Sequence, residues 1–181
     1  MRDLSLHLLD LMENSIRVEA TIIAVTIVLD PERDLLRIAV EDNGPGLSVP
    51  PETALDPFYT TKSGKRTGLG LSLMRGAAER AGGRMTLSRS PLGGLAASAT
   101  MQLSHVDRSP LGDVAATLSS VACTNPEVDL WCRLVVSGRE WVVRSSDVAR
   151  ELPAGERGGL AVARRIAEKV REGLAAAEIM V

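Results

Sequence analysis

The chain has 181 residues, 45% of them apolar and 24% charged, which excludes a disordered or fibrous protein and allows one medium domain, or a domain of about a hundred residues with a small partner. Its formal net charge is −2 and the basic residues are scattered, so the charge footprint of nucleic-acid binding is missing. No stretch approaches the roughly 18 apolar residues of a membrane span, and Cys123 and Cys132 are too few for a zinc site or a disulfide framework; a soluble cytoplasmic protein is expected.

Leu4, Leu8, Leu9, Leu11, Met12 and Ile16 recur at helical spacing and predict a helix over residues 3–18. A β-branched run over 21–29, a turn-forming cluster at 30–34 and a run over 35–40 read as a hairpin. Residues 43–68 are too rich in glycine and proline for regular structure, yet long for an idle connection. A helix over 71–81 stops at Gly82-Gly83, and strands over 84–90 and 95–103 flank the turn Ser90-Pro91-Leu92-Gly93-Gly94. This order gives an α+β fold, a two-layer α/β sandwich. The pattern restarts near residue 106 with a helix near 111–121, strands over 129–136 and 140–143, and a long helix over 159–178. Two units are therefore expected: residues 1–105, and a small α/β unit over 106–181 in which Trp131, Trp141 and the apolar positions of the last helix are core residues, a homodimer surface being the alternative.

The chemistry gathers in three segments of the first unit. On the first helix Asp3, His7, Asp10, Glu13, Asn14 and Arg17 fall in one polar stripe, either a wet face or the wall of a cavity. Asp10 and Asn14, four apart, are neighbours on that helix and together offer hard oxygen donors suited to Mg²⁺ and a carboxylate able to orient a water. Asp42-Asn43-Gly44-Pro45-Gly46 follows the second strand; Gly44 and Gly46 let the backbone turn and let a flat ligand approach, although Asp-Asn-Gly is also ordinary turn chemistry. Residues 56–71 bring the hydroxyls of Thr60, Thr61 and Thr67 and the cations of Lys62, Lys65 and Arg66 to Gly68-Leu69-Gly70-Leu71, just before a helix, an arrangement suited to phosphate. Neither familiar phosphate loop fits: Tyr59 stands where the Walker A pattern needs glycine, and Leu73 where the dinucleotide fingerprint needs glycine or alanine.

Taken in order, these segments resemble the GHKL superfamily, the Bergerat ATP-binding fold shared by DNA gyrase, MutL and histidine kinases. Leu8-Leu9-Asp10-Leu11-Met12-Glu13-Asn14-Ser15-Ile16 is similar to the N box and Asp42 to Gly46 to the G1 box. Asp56-Pro57-Phe58-Tyr59-Thr60-Thr61-Lys62 is similar to the F box and lid of the kinase branch, and Gly68-Leu69-Gly70-Leu71 to the G2 box. The resemblance implies ATP and Mg²⁺ as cofactors, with Asn14 on the metal, Asp42 on the adenine amino group, and the F box, lid and G2 residues, Phe58 included, around the nucleotide. Asp10 stands where ATPase members carry a glutamate general base. Gly94-Leu95-Ala96-Ala97 lacks the Gly-Thr pair common in kinases, a departure that would bear on phosphate contacts. With no phosphoacceptor helix ahead of the N box, phosphotransfer is expected in trans.

The chain as a whole also resembles small stand-alone bacterial ATP-binding proteins from the gene neighbourhoods of iron-only hydrogenases. The expected function is Mg²⁺-ATP binding with slow hydrolysis or transfer of phosphate to a partner protein. A non-catalytic, nucleotide-dependent interaction module and a serine protein kinase like the anti-sigma kinases are the alternatives.

Overall fold

The computed structural model describes residues 3–56 and 69–178. Helix α1 spans Leu4–Arg17 and is capped by Asp3, whose carboxylate accepts the Leu6 N–H at 3.1 Å. Strands β1 (Ile22–Asp30) and β2 (Leu35–Asp42) form the expected antiparallel hairpin, with Ile23 opposite Asp42 at its open end. Inside the glycine- and proline-rich stretch, whose composition predicts no regular structure, lies a one-turn helix, α2 (Pro51–Ala54). Pro51 suits its first turn, where a missing N–H costs nothing. Helix α3 (Leu69–Arg80) starts two residues earlier than expected and ends on Gly82 at φ +69°, with the Gly83 N–H on the Ala78 carbonyl. Strands β3 (Arg84–Arg89) and β4 (Leu95–Gln102) pair across the predicted turn.

Beyond these lie α4 (Val114–Thr124), β5 (Asp129–Val136), β6 (Arg139–Arg144), α5 (Ser145–Glu151) and α6 (Gly159–Glu178). The strands form one six-stranded sheet in the order β3-β4-β2-β1-β5-β6. Every neighbouring pair is antiparallel except β1 and β5, which run parallel from Ile22 opposite Asp129 to Leu29 opposite Val136. Residues after 105 thus continue the sheet that the first hundred residues begin. The physical reason is the second edge of β1, whose free N–H and C=O groups take β5 as their partner.

Helices α1, α3, α4 and α6 form a layer against the sheet. Alternation along β1 sends Ile23, Val25 and Ile27 inward, where they meet Leu4, Leu8 and Met12 of α1, Leu118 of α4 and Ile166 of α6 in one core. On the outer face Arg37 Nε donates to Ser98 Oγ at 3.0 Å, and Arg133 pairs with Glu140 at 2.8 Å. Trp131 is not a core residue: it is half-buried, with the Arg144 guanidinium 4.3 Å from its ring centroid and its Nε1–H on Asp129. Trp141 is partly buried and packs against the core, and burial pushes the Cys132 thiol up to about 12. Among the described residues, no helix is long and apolar enough to cross a membrane.

Candidate functional site

Strand β2 ends on Asp42, and its inward register carries this carboxylate beneath α1, where it is only 3% exposed. A buried carboxylate needs donors, and three converge on it. Oδ1 accepts the N–H groups of Gly44 at 3.0 Å and Leu95 at 3.1 Å; Oδ2 accepts the Ser15 hydroxyl at 2.6 Å. Asn43 faces the other way, its side-chain oxygen accepting the N–H groups of Thr21 and Ile22, so the end of β2 is clipped to the start of β1.

Glycine is required around this carboxylate for close approach. A Cβ on Gly94 would lie 2.1 Å from Asp42 Oδ1, while its N–H bonds the Asp42 carbonyl at 3.0 Å. A Cβ on Gly44 would lie 2.9 Å from Val18 Cγ2, and Gly46 holds φ +78°. The sequence reading assigned the missing Gly-Thr pair to the phosphate side. Instead, Gly94 and Leu95 abut Asp42: Leu95 gives it a backbone N–H, and its side chain lines the same small cavity. Asn14, Ser15, Leu71 and Asp42 share that cavity of about 10 Å³, roughly the room of one water.

The polar stripe of α1 divides. Asp3 caps the helix, His7 is buried, and Glu13 and Arg17 are exposed. Asp10 and Asn14 are half-buried and face the start of α3, where a Cβ on Gly70 would meet Asp10 Cβ at 3.2 Å and Asn14 Nδ2 at 3.6 Å. The first turn of α3, the positive end of its helix dipole, therefore rests directly on the two side chains singled out from the sequence. Asn14 Oδ1 accepts from Arg17 at 2.9 Å. No group of three or more His, Cys, Asp or Glu residues converges among the described residues. An ion held here by Asn14, beside the Asp10 carboxylate, would complete its shell with phosphate oxygens and water, the habit of Mg²⁺, so the donor set fits that metal.

The structure thus brings together Asp10, Asn14, Asp42, Gly44, Gly70 and Leu71, with Gly46 on the loop between them. Phe58, Thr60, Thr61, Lys62, Lys65, Arg66, Thr67 and Gly68 lie outside the described residues, and of Leu69 the backbone alone, at the start of α3, is described. Sequence reasoning missed two participants, Ser15 and Gly94. Ser15 sits on the side of α1 that faces the sheet, outside the polar stripe of that helix, and Gly94 reads as plain turn chemistry.

A larger cavity of about 260 Å³ lies elsewhere, among Val128, Asp129, Ser146, Ala149, Arg157 and Val162. It offers no comparable chemistry. Of its two carboxylates, Glu127 is exposed and Asp129 is already taken by Trp131 Nε1, Ser145 Oγ and the Ser146 N–H.

A buried carboxylate at a strand end, an Asp/Asn pair on the facing helix and a glycine-led helix start resting on that pair form one candidate site. The chain belongs to the family of histidine kinase-, DNA gyrase B- and HSP90-like ATPases, which matches residues 2–105. Among solved structures it is similar to the N-terminal domain of a DNA repair protein, with a TM-score of 0.52 and 12% identity. That match covers 86% of this chain and 58% of the other, and at such identity it speaks for the fold alone. No curated protein matches the chain closely enough to count as a relative.

Proposed function

We propose that this chain binds Mg²⁺-ATP between α1, the end of β2 and the start of α3, and either hydrolyses it slowly or passes the terminal phosphoryl group to a partner protein. The observation that supports this most is Asp42. It is a buried carboxylate fixed by three donors, and Oδ2 keeps capacity to accept an N–H from the adenine amino group. Gly44 and Gly46 keep the floor beneath the base free of side chains. Asn14 would hold Mg²⁺, which supplies neutralisation of phosphate charge. The N–H groups at the start of α3 face the same region and suit phosphate oxygens. Lys62, Lys65 and Arg66 are assigned to the phosphates from the sequence alone.

Asp10 also stands where a water or an acceptor hydroxyl would be oriented, and its shorter side chain suits a slow reaction. The test is phosphate release and transfer from labelled Mg²⁺-ATP, for the chain alone and with candidate partners, including hydrogenase-linked proteins of the kind the sequence resemblance implies. Turnover by the chain alone supports hydrolysis. Label on a partner's serine supports a kinase of the anti-sigma type. ATP binding with neither outcome would leave the regulatory module, a reading favoured by one contact: Leu4 N–H bonds the Pro110 carbonyl at 2.9 Å, tying the helix that carries the site to the C-terminal half.

A further inference from the structure

Among the described residues Asp42 has three hydrogen bonds, and the one that comes from a side chain is donated by Ser15. We propose that Ser15 is a positioning residue that sets nucleobase selectivity through Asp42, an inference that rests on the adenine-reading role given to Asp42 above.

The two backbone N–H groups on Oδ1 use both of that oxygen's lone pairs, so Oδ1 has nothing left for a ligand. Oδ2 carries the Ser15 hydroxyl at 2.6 Å, a charge-assisted bond, and keeps one lone pair. A base docked against it meets a single acceptor in a fixed direction, which suits one N–H of an exocyclic amino group and opposes a carbonyl. Ser15 and Asp42 are each only a few per cent exposed, so water does not compete for the bond between them. Among the described residues no second hydroxyl bonds Oδ2: Leu95, at the start of β4, supplies a backbone N–H and presents an apolar side chain to the shared cavity. Without the Ser15 proton, Oδ2 would have two unfilled acceptor sites and a carboxylate plane held from one side only. An amino group would then gain less over a base that lacks it.

The experiment measures dissociation constants of the full chain for Mg²⁺-ATP and for the Mg²⁺ complex of purine riboside triphosphate, the same ring without the amino group. Wild type, Ser15→Ala, Ser15→Cys and Ser15→Thr are compared. Wild type should prefer ATP on the order of a hundredfold, and Ser15→Ala should narrow that ratio on the order of tenfold, chiefly by weakening ATP. Ser15→Thr, which keeps the hydroxyl, should restore the preference. Ser15→Cys keeps the size with a weak donor and carries the test if Ser15→Ala does not fold. Equal weakening of both nucleotides, or an unchanged ratio, would overturn the role of Ser15 while leaving the ATP site standing. Binding of neither nucleotide by wild type would overturn the ATP site and this inference with it.

Discussion

Gly94 shows how a single atom decides whether the site forms. A methyl group there would lie 2.1 Å from Asp42 Oδ1 and 2.5 Å from the Gly44 nitrogen, which are hydrogen-bonded to each other. Gly94→Ala is therefore expected to destabilise the fold by about 2–4 kcal/mol in urea unfolding, by forcing apart the hydrogen bonds that hold Asp42. Stability within about 0.5 kcal/mol of wild type would show that the network relaxes more freely than its burial implies. Asp10 belongs to the opposite class of residue, half-buried and beside the start of α3, with room for an isosteric change. Asp10→Asn should cut phosphate release or transfer by roughly a hundredfold or more, with Mg²⁺-ATP affinity kept within about threefold. Equal losses in both would mean that Asp10 binds rather than orients. The sequence made Asp10, Asn14 and Asp42 visible because their chemistry is local, a carboxylate and an amide four apart or a carboxylate before two glycines. Ser15 was not legible, since its role is defined by a strand 27 residues away.

At the scale of elements, the hairpins and the longer helices were legible because each rests on a period of its own: alternation along β1 and β2, and leucines at helical spacing along α1. Helix α5 was not, for it buries only Val148 and so leaves almost no apolar pattern. Tertiary hydrogen bonds place it instead. Asp129, at the start of β5, accepts the Ser146 N–H and the Ser145 hydroxyl at the beginning of α5, and Trp131 Nε1 as well. Burial alone would raise the Asp129 carboxyl, but these hydrogen bonds outweigh it and hold it below its ordinary 3.8. A lowered carboxyl stabilises the folded chain above its ordinary titration range, and that contribution is lost as pH falls through the lowered value. Asp129→Ala should therefore cost about 1 kcal/mol at neutral pH, discounted for partial exposure, and the gap to wild type should shrink once the pH drops below about 4. Urea unfolding of both chains at pH 7 and pH 3 checks this; a gap that stays constant would assign the effect to packing.

Across the whole molecule, the parallel pairing of β5 with β1 joins the matched region, residues 2–105, to everything that follows. No local pattern announces that pairing. The strands are about a hundred residues apart, and each run reads equally well as part of a separate sheet. Helix α4 adds to the union, burying Val114, Ala115 and Leu118 in the core shared with α1. A fragment of residues 1–105 would expose one edge of β1 and the flank of α1, and is expected to lose the cooperative urea transition of the full chain. A fragment that unfolds at the full chain's midpoint would contradict this. The same continuity makes the full chain the right object for the decisive test, titration calorimetry with Mg²⁺-ATP on wild type beside Asp42→Asn. Wild type should bind with micromolar affinity, weakened on the order of a hundredfold in the variant with little change in melting temperature, since asparagine keeps an oxygen for the Gly44 and Leu95 N–H groups. Equal affinity in the two chains, or no binding by wild type, would contradict this.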